Sequence, residues 1–65
     1  MNEWVKTSDR LPEHDTAVLI HSKSGIELVV CNRVDNCWDD YTGDDYYRDI
    51  EWASHWMPLP EHPKD

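Results

Sequence analysis

The stretch that most limits what this chain can become is Trp52-Ala53-Ser54-His55-Trp56-Met57-Pro58-Leu59-Pro60. Within nine residues it holds two of the four tryptophans and two of the four prolines. It reads as a closing β-strand that runs into an extended tail. Pro58 has no N–H to donate and fixes φ near −65°, so ladder pairing should stop there. Met57, which precedes it, is pushed toward extended backbone.

Sixty-five residues make a single domain, 1–65. A chain of this length hides only about 60% of the surface its unfolded form exposes, so large rings must supply much of the burial. With no phenylalanine present, the expected core is Trp4, Leu11, Leu19, Leu28, Trp38, Trp52, Trp56 and Met57. Fourteen acids against six bases give a net charge of −8. Binding to nucleic acid or to an anionic membrane needs Lys and Arg to meet phosphate, so neither partner is expected. A basic protein partner fits this balance. No apolar run reaches the roughly 20 residues that cross a bilayer. Met1-Asn2-Glu3-Trp4 lacks the basic and apolar regions of a signal peptide, which makes the cytoplasm the expected compartment and free thiols the expected state of both cysteines.

In chain order, residues 1–7 read as an extended arm that lays Trp4 against the core. Thr7 to Pro12 forms a turn, with Ser8 and Asp9 as turn formers. Thr16-Ala17-Val18-Leu19-Ile20-His21 is rich in β-formers. Ser22-Lys23-Ser24-Gly25 is a turn signal, and Ile26 to Asn32 returns as a second strand. There Ile26, Leu28 and Val30 share one face while Glu27, Val29 and Cys31 share the other. After a turn at Arg33-Val34-Asp35-Asn36, Cys37 to Tyr41 gives a third strand with Trp38 toward the core and Cys37 and Asp39 away from it. Tyr46 to Glu51 fits either one helical turn or a loop, and residues 61–65 should fray. The expected fold is mainly β, a three- to four-stranded antiparallel meander with at most one short helical turn, at the border of small α+β. One such sheet can leave a face without cover, and a homodimer through that face is a natural remedy.

An N-terminal Trp4, then Asp9-Arg10-Leu11-Pro12, Val18-Leu19-Ile20, Trp38 and the closing His55-Trp56-Met57-Pro58-Leu59-Pro60 together resemble the family called domain of unknown function 551. The likeness spans almost the whole chain, and the His-Trp-Met-Pro-Leu-Pro ending is its most specific part. It implies a phage or prophage origin and a bacterial host. It brings no catalytic residues, because the family carries no assigned activity. The Asp-rich insertion at 39–49 departs from the commoner pattern.

Four constellations bear on chemistry. The candidate zinc ligands are His14, His21, Cys31, Cys37, His55 and His62, but no standard ligand spacing joins them, so no metal or other cofactor is expected. Asp39, Asp40, Asp44 and Asp45 around Gly43 do not follow the EF-hand order. A thiolate pair of Cys31 or Cys37 with His55 lacks any nucleophile motif, so the chain is expected not to be an enzyme. His55 is expected to make a structural hydrogen bond, and Arg10 to stack on an indole or pair with an acid.

The last constellation is the richest. From Asp35 to Glu51 the chain carries seven acids against Arg48 alone, with Tyr41, Tyr46 and Tyr47 between them. Acids steer basic partners and tyrosines anchor interfaces. The expected contact surface is therefore Asp39, Asp40, Tyr41, Asp44, Asp45, Tyr46, Tyr47, Asp49 and Glu51. The expected role is an accessory protein that binds and modulates a basic host factor. Mimicry of DNA by the same carboxylates and a small zinc module are the alternatives.

Overall fold

A computed structural model describes residues 3–43 and 47–59. Six strands form one antiparallel sheet: β1 (Val5–Lys6), β2 (Thr16–Ser22), β3 (Gly25–Asn32), β4 (Cys37–Asp40), β5 (Tyr47–Asp49) and β6 (His55–Pro58). A 3-10 turn at Ile50–Trp52 separates β5 from β6. The spatial order is β1-β6-β2-β3-β4-β5. A meander runs from β2 to β5, whereas the meander expected from sequence puts the closing strand, not Tyr47–Asp49, after the third strand. The closing strand then crosses back to the free side of β2, and β1 lies outside it.

The sheet is mainly β as expected, but it has six strands rather than three or four. Both additional strands are short. The N-terminal arm pairs with β6 through Val5↔Trp56 and Lys6↔His55. Tyr47–Asp49 pairs with β4 through Cys37↔Asp49, Trp38↔Arg48 and Asp39↔Tyr47. Two or three residues are too few to show a period of two, so only a partner strand defines them.

Turn chemistry fixes the rest. Ser22 pairs with Gly25 across the two-residue turn Lys23-Ser24. Gly25 takes φ 110°, a region open to glycine because it has no Cβ. The next turn places Asn36 at φ 59°, and Asn32 Oδ1 accepts the Asp35 backbone N–H at 2.8 Å. Pro58 is the last residue of β6, opposite Val18, where its missing donor ends the ladder.

One face of the sheet carries the core: Val18, Ile20, Val29, Cys31, Trp38 and Trp56, with Ala53 from the segment before β6. Val5, Leu11 and Ile50 pack at its margin. Two irregular segments cover this face, and each accepts an indole N–H. Trp56 Nε1 donates to the Arg10 carbonyl at 2.9 Å, and Trp38 Nε1 donates to the Ile50 carbonyl at 3.1 Å. The segments are joined by Thr7 Oγ1, which donates to the Ala53 carbonyl at 2.8 Å.

The expected core needs correction on this point. Trp38 and Trp56 are buried and Leu11 packs beside them. Leu19, Leu28 and Met57 are cross-strand neighbours on the opposite face, with Leu28 38% exposed. Trp4 is 40% exposed and sits against His21, on the side away from Trp56. Trp52 is 36% exposed and lies under the Arg48 guanidinium, 4.2 Å from ring centroid to Cζ. In β2 both faces are apolar, Val18 and Ile20 on one and Ala17 and Leu19 on the other. Alternation therefore cannot choose between them, and the covering segments do.

Candidate functional site

The face that the covering segments leave open can be read row by row from the strand register, because directly paired residues in an antiparallel sheet point the same way. Lys6, His55, His21 and Ile26 form one row. Met57, Leu19 and Leu28 form the next. Ala17, Val30, Asp39 and Tyr47 follow. Asn32, Cys37 and Asp49 close the series. The middle is apolar, one corner holds Lys6 and two imidazoles, and the opposite corner is acidic.

In the acidic corner Asp35, Cys37, Asp39, Tyr47 and Asp49 line an open concavity of about 400 Å³. Asn32 Nδ2 donates to Asp39 Oδ2 at 3.0 Å and to Asp35 Oδ2 at 3.2 Å, which ties two carboxylates together. Cys37 Sγ donates to Asp39 Oδ1 at 3.4 Å. Burial is the largest influence on this thiol, followed by the bond to Asp39 and the charges of Asp39, Asp35 and Asp49, and together they push its pKa up from 9.0 to about 11. A neutral thiol at physiological pH is a poor nucleophile. Tyr47 stands beside the carboxylates, 66% exposed.

Of the expected contact residues, the structure brings Asp39, Tyr47 and Asp49 together here. Glu51 lines a neighbouring concavity with Tyr47, Arg48, Asp49 and Trp52. Asp40 lies on β4 between Asp39 and Tyr41, half-buried, and its carboxylate accepts the Thr42 hydroxyl. Tyr41 is exposed in the turn that follows. Asp44, Asp45 and Tyr46 lie outside the described residues. Sequence reasoning confined to 39–51 left out Asp35 and Cys37. Asp35 belongs to the same acidic run, and the Asn32 to Asp35 spacing of a side-chain-capped turn was the available signal for it.

In the other corner, the Trp4 and His21 rings meet edge to face at 5.9 Å between centroids, and His21 and His55 do so at 6.3 Å. His55 Nδ1 hydrogen-bonds Ser54 Oγ at 2.8 Å. Arg10 stacks on Trp56 with Cζ 5.9 Å from the ring centroid, so its side chain lies on the core side and not beside His55.

The cysteines do not converge on one site. Cys31 pairs with Trp38 and faces the core, where its thiol donates to the Pro12 carbonyl at 3.7 Å. Cys37 pairs with Asn32 and faces the opposite side. His21 pairs with Ile26, not with Cys31, and His14 Nδ1 accepts the Arg33 N–H at 3.1 Å. Among the described residues no three His, Cys, Asp or Glu side chains are grouped to hold a metal ion. His62 lies outside them.

Comparison with known families gives one match: the family described as "Protein of unknown function (DUF551)" matches residues 3–64. No curated protein and no solved structure matches the chain.

Proposed function

The chain belongs to the DUF551 family, and from that premise we propose a non-enzymatic protein-binding module, a phage or prophage accessory protein acting in the bacterial cytoplasm. Its partner is a basic host protein that handles nucleic acid or serves in defence. The observation that carries this reading is the gathering of Asp35, Asp39 and Asp49 around one buried thiol, beside an exposed tyrosine. Carboxylates held this close repel one another, and a cationic side chain from a partner relieves that repulsion. Tyr47 adds broad contact area with only two side-chain torsions to freeze. The concavity is open and its thiol stays protonated at neutral pH, which suits recognition better than nucleophilic chemistry.

The test is capture of binding partners from bacterial lysate on immobilised wild-type chain and on Tyr47→Ala and Asp49→Lys variants, followed by titration with the purified partner. Each variant should weaken binding about 10- to 100-fold, the loss typical of a central interface anchor. Unchanged binding by both variants would show that the contact surface lies elsewhere. Duplex DNA competing for the same partner, with a salt slope of several charges, would reassign the surface to a DNA-mimicking inhibitor.

A further inference from the structure

We propose that the open face of the sheet seats a second copy of this chain in a reversible two-fold dimer. Ile26 is 60% exposed, Leu28 38% and Trp4 40%, and Ala17, Leu19, Val30 and Met57 are each half-buried on the same side. The covering segments at Arg10 and Ile50 are already committed to the other face. A continuous apolar surface in so small a domain is costly to leave in water.

The charge pattern of this face selects the occupant. When two copies meet through one shared face, the two-fold axis lies in the plane of contact and each copy meets the mirrored outline of itself. Lys6 on β1 and Asp49 on β5 stand at diagonally opposite corners, five strand intervals across the sheet and three rows along it, which is about 30 Å at about 4.8 Å per interval and about 3.4 Å per residue. By the register, the midpoint between them falls among Ala17, Leu19, Leu28 and Val30. An axis through that quartet, oblique to the strands, sets Lys6 of each copy over Asp49 of the other. It brings His21 and His55 of each beside Tyr47 and Asp39 of the other, sets Leu28 and Ala17 against their own equivalents, and lays Leu19 of each copy over Val30 of the other. The strands of the two sheets then cross near a right angle, one of the two packings open to sheet pairs. An axis along the Lys6–Asp49 diagonal would instead set each charge against its own equivalent, and an axis along or across the strands would leave both charges without a strand residue opposite.

The outward positions of the four rows, spread over all six strands at about 33 Å² of sheet each, give a contact of about 450 Å² per copy, little more than half of what a standard stable complex buries on each side. The dimer is therefore weak: monomer at about 10 µM and largely dimer near 1 mM. This inference does not rest on the proposed basic partner, which would compete for the same acidic corner.

Sedimentation equilibrium of the full chain across that range tests it. Wild type should pass from monomer to dimer. Leu28→Glu should remain monomeric, and Ile26→Lys, at a more exposed position, serves if Leu28→Glu does not fold. Lys6→Glu and Asp49→Lys should each weaken association at least about tenfold, and the double variant should recover most of it because the swapped charges again face each other. A monomer at the highest concentration, a dimer indifferent to both apolar substitutions, or a double variant no better than the singles would overturn the proposal.

Discussion

Trp56 and Arg10 hold each other twice: the indole N–H donates to the Arg10 carbonyl at 2.9 Å, and the guanidinium lies 5.9 Å from the ring centroid. The ring is thus both core and fastener, because the Arg10 segment is half of the cover over the core face. Trp56→Phe keeps most of the apolar body and removes the donor, leaving a carbonyl unpaired. That should cost about 1–3 kcal/mol. Trp56→Ala should cost about 3–5 kcal/mol, a large share of the stability of a domain this size. Urea unfolding at micromolar concentration measures both, and equal midpoints for Trp56→Phe and wild type would show that the bond fastens nothing.

The two faces should respond very differently to the loss of apolar surface. Val29 is 2% exposed in the core, whereas Ile26, three residues earlier and across the sheet, is 60% exposed. Val29→Ala should destabilise by about 1–3 kcal/mol through lost burial and a residual void. Ile26→Thr should stay within about 0.5 kcal/mol and keep a β-branched side chain suited to the strand. Thermal melts of the dilute protein compare them, and the reverse ranking would place the core on the wrong side of the sheet.

Much of the frame was legible in the residues themselves. Gly25 and the alternating runs on either side of it specify the β2–β3 hairpin, and Trp38 between Cys37 and Asp39 specifies its own direction. The identity of the buried face was not legible, because Leu19 and Leu28 are as apolar as Val18 and Val29. That choice depends on where the Arg10 and Ile50 carbonyls meet two indoles, contacts spanning 46 and 12 residues. The acidic run was visible as composition. Its focus on Cys37 was not, since only the pairing of Cys37 with Asp49 brings Asp49 beside Asp35 and Asp39.

The tight turn between β2 and β3 offers a clean separation of sterics from backbone. A Cβ added at Gly25 would meet nothing within 4 Å, yet φ there is 110°. Any penalty for Gly25→Ala must therefore come from the backbone angle alone. It should be on the order of 1–2 kcal/mol, well above the few tenths that an open site at ordinary φ would show. Chemical unfolding reads the difference, and a neutral substitution would mean that the turn relaxes to another type without loss.

The thiol in the acidic corner reports on the carboxylates around it. Cys37 titrates near 9.0 when unfolded and near 11 when folded. The folded state thus favours the protonated form. The resulting stabilisation is complete below pH 9, declines as the unfolded chain ionises, and is gone once pH rises through 11. At pH 8, native Cys37 should carry roughly 100-fold less thiolate than the unfolded chain and react with iodoacetamide correspondingly slowly. Asp39→Asn removes a negative charge but leaves a side-chain oxygen able to accept the thiol proton. The pKa should then fall part of the way back toward 9.0, and alkylation mapped by mass spectrometry should accelerate at pH 8. Cys31, whose pKa is raised by burial on the other face and partly lowered by Arg33, serves as the internal control and should not change. If Cys37 in Asp39→Asn reacted no faster than in wild type, burial alone would account for the protection and the carboxylates would not be focused on this site.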